Sequence, residues 1–413
     1  MKANIIILIA LLLTINFVSN GNALTGEAGM PGTFLHMGIG ARALGMGKAY
    51  TALSNDATAI YWNPAGLALQ DKFQIYGMHS ALFMDTQFDY VAGVAPTLDY
   101  GTFGFGVLTL SSEGFEQRSM LNEELGEFGM RDLATFISWS KELSQGISVG
   151  INYKLISQKI FDVSGIGHGV DLGFKKRMFD RLELGLMFTN LIKPKIKLVN
   201  QAEVFPMQFR FGAATRFMDD KLTISSDVAK IAGWGSTHLN FGVEYQALNY
   251  VALRSGMEEG RFTVGVGFNF RQTGIDYSSA RFSELGTNHR FAVNYTFGGF
   301  GISAIAKPKI FSPMSENNIA QIELNAKTRS AVTEWVLEII DNEGRLVRQY
   351  SNKGEIPEKV IWDGRDNNGI LVKDGTFGYR FDIITIDGKN SHADGSLVTI
   401  DSQGPEGTLG LID

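Results

Sequence analysis

From Phe73 to Phe297 the chain alternates with period two almost without interruption. Phe262, Val264, Val266, Phe268 and Phe270 share one face of a strand, with Thr263, Gly265, Gly267 and Asn269 on the other. Ile147, Val149, Ile151, Tyr153 and Leu155 oppose Ser148, Gly150, Asn152 and Lys154. Leu182, Leu184, Leu186 and Phe188 oppose Glu183, Gly185 and Thr189, and Leu239, Phe241, Val243 and Tyr245 oppose His238, Asn240, Gly242 and Glu244. Successive side chains of a strand point to opposite faces. Each segment therefore has one bulky apolar face and one small or polar face. A soluble sandwich buries the bulky face between two sheets. A transmembrane barrel turns it outward to lipid and lines its lumen with the small face.

Strand number and loop length separate these two arrangements. About fourteen alternating segments begin near Phe73, Phe88, Gly101, Arg131, Ile147, His168, Leu182, Gln208, Leu222, His238, Tyr250, Phe262, Gly274 and His289. An even number of strands of about ten residues suits a membrane barrel. Long loops are expected at Ser111–Met130, Gln158–Gly167, Ile192–Pro206 and Lys230–Thr237, and short turns at Leu143–Gly146, Met218–Lys221 and Arg271–Gly274. Short turns at one rim and longer loops at the other are the asymmetry of such barrels. The low charged fraction of 19%, with 11% aromatics and 48 glycines, agrees. The reading is an all-β chain with a transmembrane antiparallel barrel of about fourteen strands, over residues 73–300.

The flanking segments read differently. Lys2, the apolar run Ile5–Leu13 and the small residues Gly21-Asn22-Ala23 form a signal peptide over 1–23. That run is too short to span a bilayer, which takes about 20 residues. Residues 24–72 lack alternation and are rich in Gly, Ala and Met. Within them Asp56–Trp62 suits a short helix capped by Asn55 or Asp56, ended by Asn63-Pro64-Ala65-Gly66. Residues 301–308 read as a linker, 309–401 as a more charged β domain of about seven short strands, and 402–413 as a tail.

Chemistry is sparse. The net charge of −6 comes without a basic stripe, so no nucleic acid is expected. There is no cysteine, hence no disulfide, thiolate chemistry or lipoprotein anchor. The six histidines lack ligand spacing, and no metal or cofactor is expected. Ser138 and Lys141 lie three apart on a strand and so point to opposite faces. Gly38–Ala43 has no preceding strand to make a dinucleotide loop. The acidic turn Asp363–Gly369 misses the calcium-loop spacing. The chain does not read as an enzyme. Lys154, Glu183, Arg210, Arg216 and Glu244 fall on the lumen face, either as an internal salt-bridge network or as a polar path or ligand headgroup site.

Gly40-Ala41-Arg42-Ala43-Leu44-Gly45-Met46-Gly47, Asp56-Ala57-Thr58-Ala59 and Trp62-Asn63-Pro64-Ala65-Gly66-Leu67 resemble the start of the PorV/PorQ proteins, relatives of the FadL long-chain fatty-acid transporters. The family commonly has Gly where this chain has Lys48. The resemblance implies a fourteen-stranded outer-membrane barrel with residues 24–72 inside it as a hatch, and Asn63, Pro64, Ala65 and Gly66 as hatch residues. It implies a component of type IX secretion or surface assembly, with secretion subunits or cargo as partners. The alternative it implies is a conduit for a hydrophobic small molecule, with Met30, Phe34, Leu35, Met37, Leu44 and Met46 lining an inner pocket. Gly344–Arg348, Trp362–Gly369 and Asp374–Phe381 resemble the FlgD-type immunoglobulin-like domain, which implies a docking module. With an even strand count both barrel ends share the periplasmic rim, so this module is expected in the periplasm. An apolar lumen wall would favour the conduit, and an exposed loop surface over a capped polar lumen would favour secretion. Lipid-facing aromatic girdles would exclude a soluble secreted protein.

Overall fold

The computed structural model describes residues 29–402, apart from 84, 145, 180, 235–236, 283–285, 316–317, 387–389 and 396. The expected signal peptide and nearly all of the expected tail lie outside these residues. The chain divides into two compact units at Gly298 and Gly299.

The first unit is a closed antiparallel barrel of fourteen strands. These are β1 (Phe73–Ala81), β2 (Gln87–Pro96), β3 (Thr102–Arg118), β4 (Glu124–Ser144), β5 (Ile147–Ile160), β6 (Val163–Met178), β7 (Leu182–Ile192), β10 (Gln208–Phe217), β11 (Leu222–Ile231), β12 (Thr237–Leu248), β13 (Val251–Glu258), β14 (Arg261–Phe270), β15 (Thr273–Phe282) and β16 (Gly286–Phe297). A two-stranded hairpin, β8 (Lys195–Lys197) and β9 (Ala202–Val204), interrupts the series. The barrel closes where Phe73 pairs with Phe297 and His79 with Phe291. Closure leaves no free edge, which a sheet in hydrocarbon requires because an unpaired backbone group there costs several kcal/mol.

The alternation is inside out relative to a soluble protein. Phe262, Val264, Phe268 and Phe270 are exposed on the outer face, as are Ile151, Tyr153, Leu155, Val243 and Phe291. Thr263, Asn152, Lys154, Glu244 and Arg290 are buried on the inner face. Tyr100, Phe179, Phe217, Tyr245, Tyr250 and Phe270 are all exposed near the rim that holds both barrel ends. That is an aromatic girdle of the kind that marks a membrane interface. The arrangement fits an outer-membrane barrel and excludes the soluble secreted protein.

Two expected loops are strand instead. Ser111–Met130 continues β3 and β4 outward as a two-stranded ribbon, with a tip only at 119–123. Its glycines and many charges look loop-like, yet Phe115 packs on Phe128 at 5.4 Å and Phe128 on Phe161 at 5.9 Å across the strands. Gln158–Gly167 is likewise mostly strand, turning at Phe161-Asp162. Ile192–Pro206 carries the β8–β9 hairpin.

The second unit has one core between two sheets. Strands β17 (Gly301–Lys307), β19 (Ala320–Lys327) and β22 (Lys359–Trp362) form the smaller sheet. The larger runs β18 (Ile310–Phe311), β25 (Val398–Ile400), β23 (Gly375–Thr385), β20 (Val332–Ile340), β21 (Leu346–Lys353), with β24 (Asn390–Asp394) also on β23. Residues 301–308, expected as a linker, mostly form β17. Ala304 and Ala306 are small because they pack in the core, where the Ala306 N–H donates to the Tyr379 hydroxyl at 2.9 Å. Trp362 is fully buried, edge-on to Phe377 and Phe311, and its Nε1–H donates to the Arg365 carbonyl at 3.0 Å. Trp362→Ala is expected to cost this unit about 3–5 kcal/mol. Denaturation followed by tryptophan fluorescence should show that loss, while the barrel keeps its heat-modifiable gel migration.

Candidate functional site

The barrel interior is filled by residues 30–70. Because the inward positions of the strands are often glycine, the plug backbone lies directly on the wall. A side chain on Gly150 would strike the backbone of Pro64 and Ala65, on Gly173 the Asn63 amide, and on Gly185 the Thr51 carbonyl. On the other side, Gly242 faces the Met46 carbonyl, Gly256 faces Gly47, and Gly265 faces Gly45 with 3.2 Å from the added carbon to its Cα. Sequence parity puts these glycines on the lumen face. Their purpose, close approach of a second backbone, becomes visible only once the plug is in place.

The Asn63-Pro64-Ala65-Gly66 stretch is a joint between plug and wall. Asn63 Oδ1 accepts from the Ala65 N–H at 3.2 Å, opening a short 3-10 helix at Pro64. Its Nδ2 donates to Thr51 O at 3.1 Å within the plug and to Phe174 O at 3.0 Å on β6. The Ser140 hydroxyl donates to Ala65 O at 3.2 Å. Gly66 has no room for a side chain, since one would collide with the Ser54 carbonyl. The expected helix is shorter than read, Ala59–Trp62, and Asp56 accepts from the Thr58 N–H ahead of it at 2.8 Å.

Four of the five expected lumen charges sit in buried ion pairs. Lys154 meets Asp171 at 2.6 Å. Glu183 takes Lys175 at 2.8 Å and Arg216 at 2.7 Å. Glu244 is gripped by Arg42 through two hydrogen bonds of 2.8 and 2.7 Å, and by Arg254 at 2.6 Å. Arg254 also reaches Asp276 at 2.5 Å. Arg42 adds the Tyr50 hydroxyl and Asn55, each at 3.0 Å. The fifth charge, Arg210, has no carboxylate within ion-pair distance among the described residues. It stacks over Trp62 with its guanidinium carbon 4.9 Å from the ring centroid. On the wall, Asp227, Lys175, Arg254 and Glu258 complete the plug contacts, and the sequence reading does not single them out. Asp227 accepts from the Tyr50 and Thr51 N–H groups at 3.1 and 2.8 Å, and Lys48 pairs with Glu258 at 2.7 Å. All four plug partners on the wall have inward strand parity, the signal that could have found them.

The wall has two characters. The inward residues of β1–β4 include Tyr76, Met78, Phe88, Tyr90, Leu108, Leu110 and Phe136, with charges at Asp132, midway along β4, and at Glu142 near its end. The charges concentrate on β5 through β16. Of the six residues expected in an inner pocket, Phe34, Leu35, Leu44 and Met46 are buried in one cluster with the apolar wall, Met37 packs against it, and Met30 is buried. Phe34 and Leu35 share that cluster with Phe205 and Ile196 from the segment between β7 and β10. The Phe205 ring lies where a Gly32 side chain would be. Met46 instead rests on Gly242 and Gly256 of the charged side.

Residues 26–170 match the uncharacterised protein family UPF0164. That span covers the plug and the strands as far as β6. The Pseudomonas putida toluene transporter TodX is 15% identical with a TM-score of 0.48, covering 63% of this chain and 98% of that one. The CymD monoaromatic hydrocarbon channel is 13% identical with a TM-score of 0.48, again over 63% and 98%. A Pseudomonas aeruginosa FadL homologue is 12% identical with a TM-score of 0.40, over 60% and 95%. No curated protein matches the chain.

Proposed function

We propose that the protein is a gated outer-membrane conduit for small apolar molecules, with residues 30–70 as its hatch. The observation that carries this reading is the apolar wall of β1–β4. A lumen that only needed to be solvated and braced would be polar throughout. Here one side is apolar and continuous with Phe34 and Leu35 of the plug and with Ile196 and Phe205 at the far rim. An apolar solute entering from that rim meets matching surface as far as the plug. The charged side holds the plug in register, and the apolar side is where it can part from the wall.

Outer-membrane vesicles with a lipopolysaccharide outer leaflet test this, because that leaflet is the barrier such a solute needs help to cross. Uptake of naphthalene, read by its fluorescence, should exceed that of vesicles lacking the protein. Phe205→Ala should raise it several-fold by loosening the cap over Gly32. If neither protein exceeds the empty vesicles, the conduit reading is wrong.

A second reading is secretion or surface assembly of the PorV/PorQ kind. The β3–β4 ribbon supports it, with Met120 and Leu121 exposed at its tip and Leu125 exposed beside it on β4. The C-terminal unit would then be a FlgD-type immunoglobulin-like docking module. The chain leaves the barrel at the rim with the short turns, which we assign to the periplasm. Deleting residues 113–129 should then abolish capture of secretion subunits and leave naphthalene uptake intact.

A further inference from the structure

Most buried charges in this lumen sit in ion pairs; among the described residues Arg290 is one exception, and the one that borders a cavity is Arg210. It is 7% exposed on the inward face of β10. Its Nε donates to Gln208 Oε1 at 2.9 Å, a neutral acceptor two residues away. Its two terminal nitrogens find no hydrogen-bond acceptor among the described residues. Asp227, nearby on β11, turns its Oδ2 to two backbone N–H groups of the plug, its Oδ1 makes no hydrogen bond, and its carboxylate lies beyond ion-pair distance of Arg210. A buried cation that makes no direct ion pair costs several kcal/mol.

Arg210 borders a cavity of about 30 Å³, bounded also by His36, Lys48, Trp62, Asn240, His238 and Glu259. A volume near 10–15 Å³ on this measure holds one water, so this one holds a group of two or three such sizes. Polar atoms without partners face the same region. His36 Nδ1 and Asn240 Oδ1 are buried and make no hydrogen bond. Asn240 is itself only 7% exposed, and a turned amide offers its Nδ2 as a donor. Glu259, the carboxylate on this rim, is occupied by His238 and by Arg261 at 2.9 Å. Lys48 is held by Glu258 and the His36 carbonyl.

We propose that this cavity is a binding site for a carboxylate group, held by the free fork of Arg210 with Asn240 and His36 beside it. A guanidinium presents parallel N–H donors that match the two oxygens of a carboxylate. The cavity fits a carboxylate the size of formate or acetate, or the acid end of a longer molecule. The site does not depend on whether the hatch opens.

Thermal unfolding of the full chain in detergent tests it, with acetate and octanoate titrated against chloride at matched ionic strength. Acetate should raise the melting temperature saturably, as a ligand of the folded state does. Octanoate saturating at lower concentration than acetate identifies the acid end of a longer molecule, and equal or weaker octanoate binding identifies a free small carboxylate. Arg210→Gln should raise the half-saturating concentration about tenfold or more. Asn240→Asp supplies the missing carboxylate from the protein itself, so it should abolish the acetate response without unfolding the chain. Arg290→Gln, at the other buried arginine without an ion pair among the described residues, should leave the response intact. Acetate and octanoate both indistinguishable from chloride, or a response that survives in Arg210→Gln and Asn240→Asp, overturns the assignment.

Discussion

Glu244→Ala is expected to loosen the plug on the charged side of the barrel and cost about 3–5 kcal/mol, the range for removing one partner of a buried ion pair. Glu244 is the only carboxylate shared between plug and wall in the Arg42–Glu244–Arg254 cluster among the described residues. Arg254 would keep Asp276 at 2.5 Å. Arg42 would keep the Tyr50 hydroxyl and Asn55, with Asp56 only at 3.9 Å. The plug therefore loses one of its two charged anchors and keeps the Lys48–Glu258 pair, while the wall loses less. Limited proteolysis of the detergent-purified protein should cut within residues 30–70 of the variant faster than in the parent. The barrel should still migrate as a folded, heat-modifiable species. A double variant with Arg42→Met and Glu244→Leu should recover part of the loss, since it leaves no unpaired plug charge. Unchanged cleavage in Glu244→Ala would mean that the cluster does not hold the plug.

The barrel is legible in the sequence because its signal is local. Each strand shows its own parity, and parity alone puts Lys154, Glu183, Arg210, Arg216 and Glu244 on the inner face. The pairing of these charges is not local. Arg42 and Glu244 stand 202 residues apart, and nothing near either one names the other. The ribbon beyond Ser112 was unreadable for another reason. Glu113, Glu116, Glu123, Glu124 and Glu127 obscure the cross-strand contact of Phe115 with Phe128 that makes it strand. The same holds for β17, whose buried alanines look like linker until Tyr379 is seen against them. The plug was recognisable as something other than strand. Its fit was not, because a glycine on the small face of a strand reads the same whether water or another backbone lies above it.

Gly256→Val is expected to drive residues 45–48 off the wall, and it separates that role of glycine from mere smallness. A Cβ at Gly256 would collide with the backbone of Met46 and Gly47, which cannot swing aside as a flexible side chain would. Gly47 cannot retreat easily, because its positive φ of 60° fixes the turn and its own Cα points at Met257 and Phe241. Overpacking a close-fitted interior costs about 1–3 kcal/mol when side chains can adjust, and backbone contact on both sides puts this case at the top of that range or above it. The strain falls between two anchors, the Lys48–Glu258 pair at 2.7 Å and the Arg42–Glu244 pair. Both should weaken together, so cleavage within residues 30–70 should rise at least as much as in Glu244→Ala. Gly93→Val supplies the control. Gly93 lies on the outer face of β2 with nothing within 4 Å of an added Cβ, so valine there gains only lipid contact. It should leave both proteolysis and melting unchanged. If Gly256→Val behaves like Gly93→Val, the plug does not rest on the wall at this point, and the glycines of the inner face need another explanation.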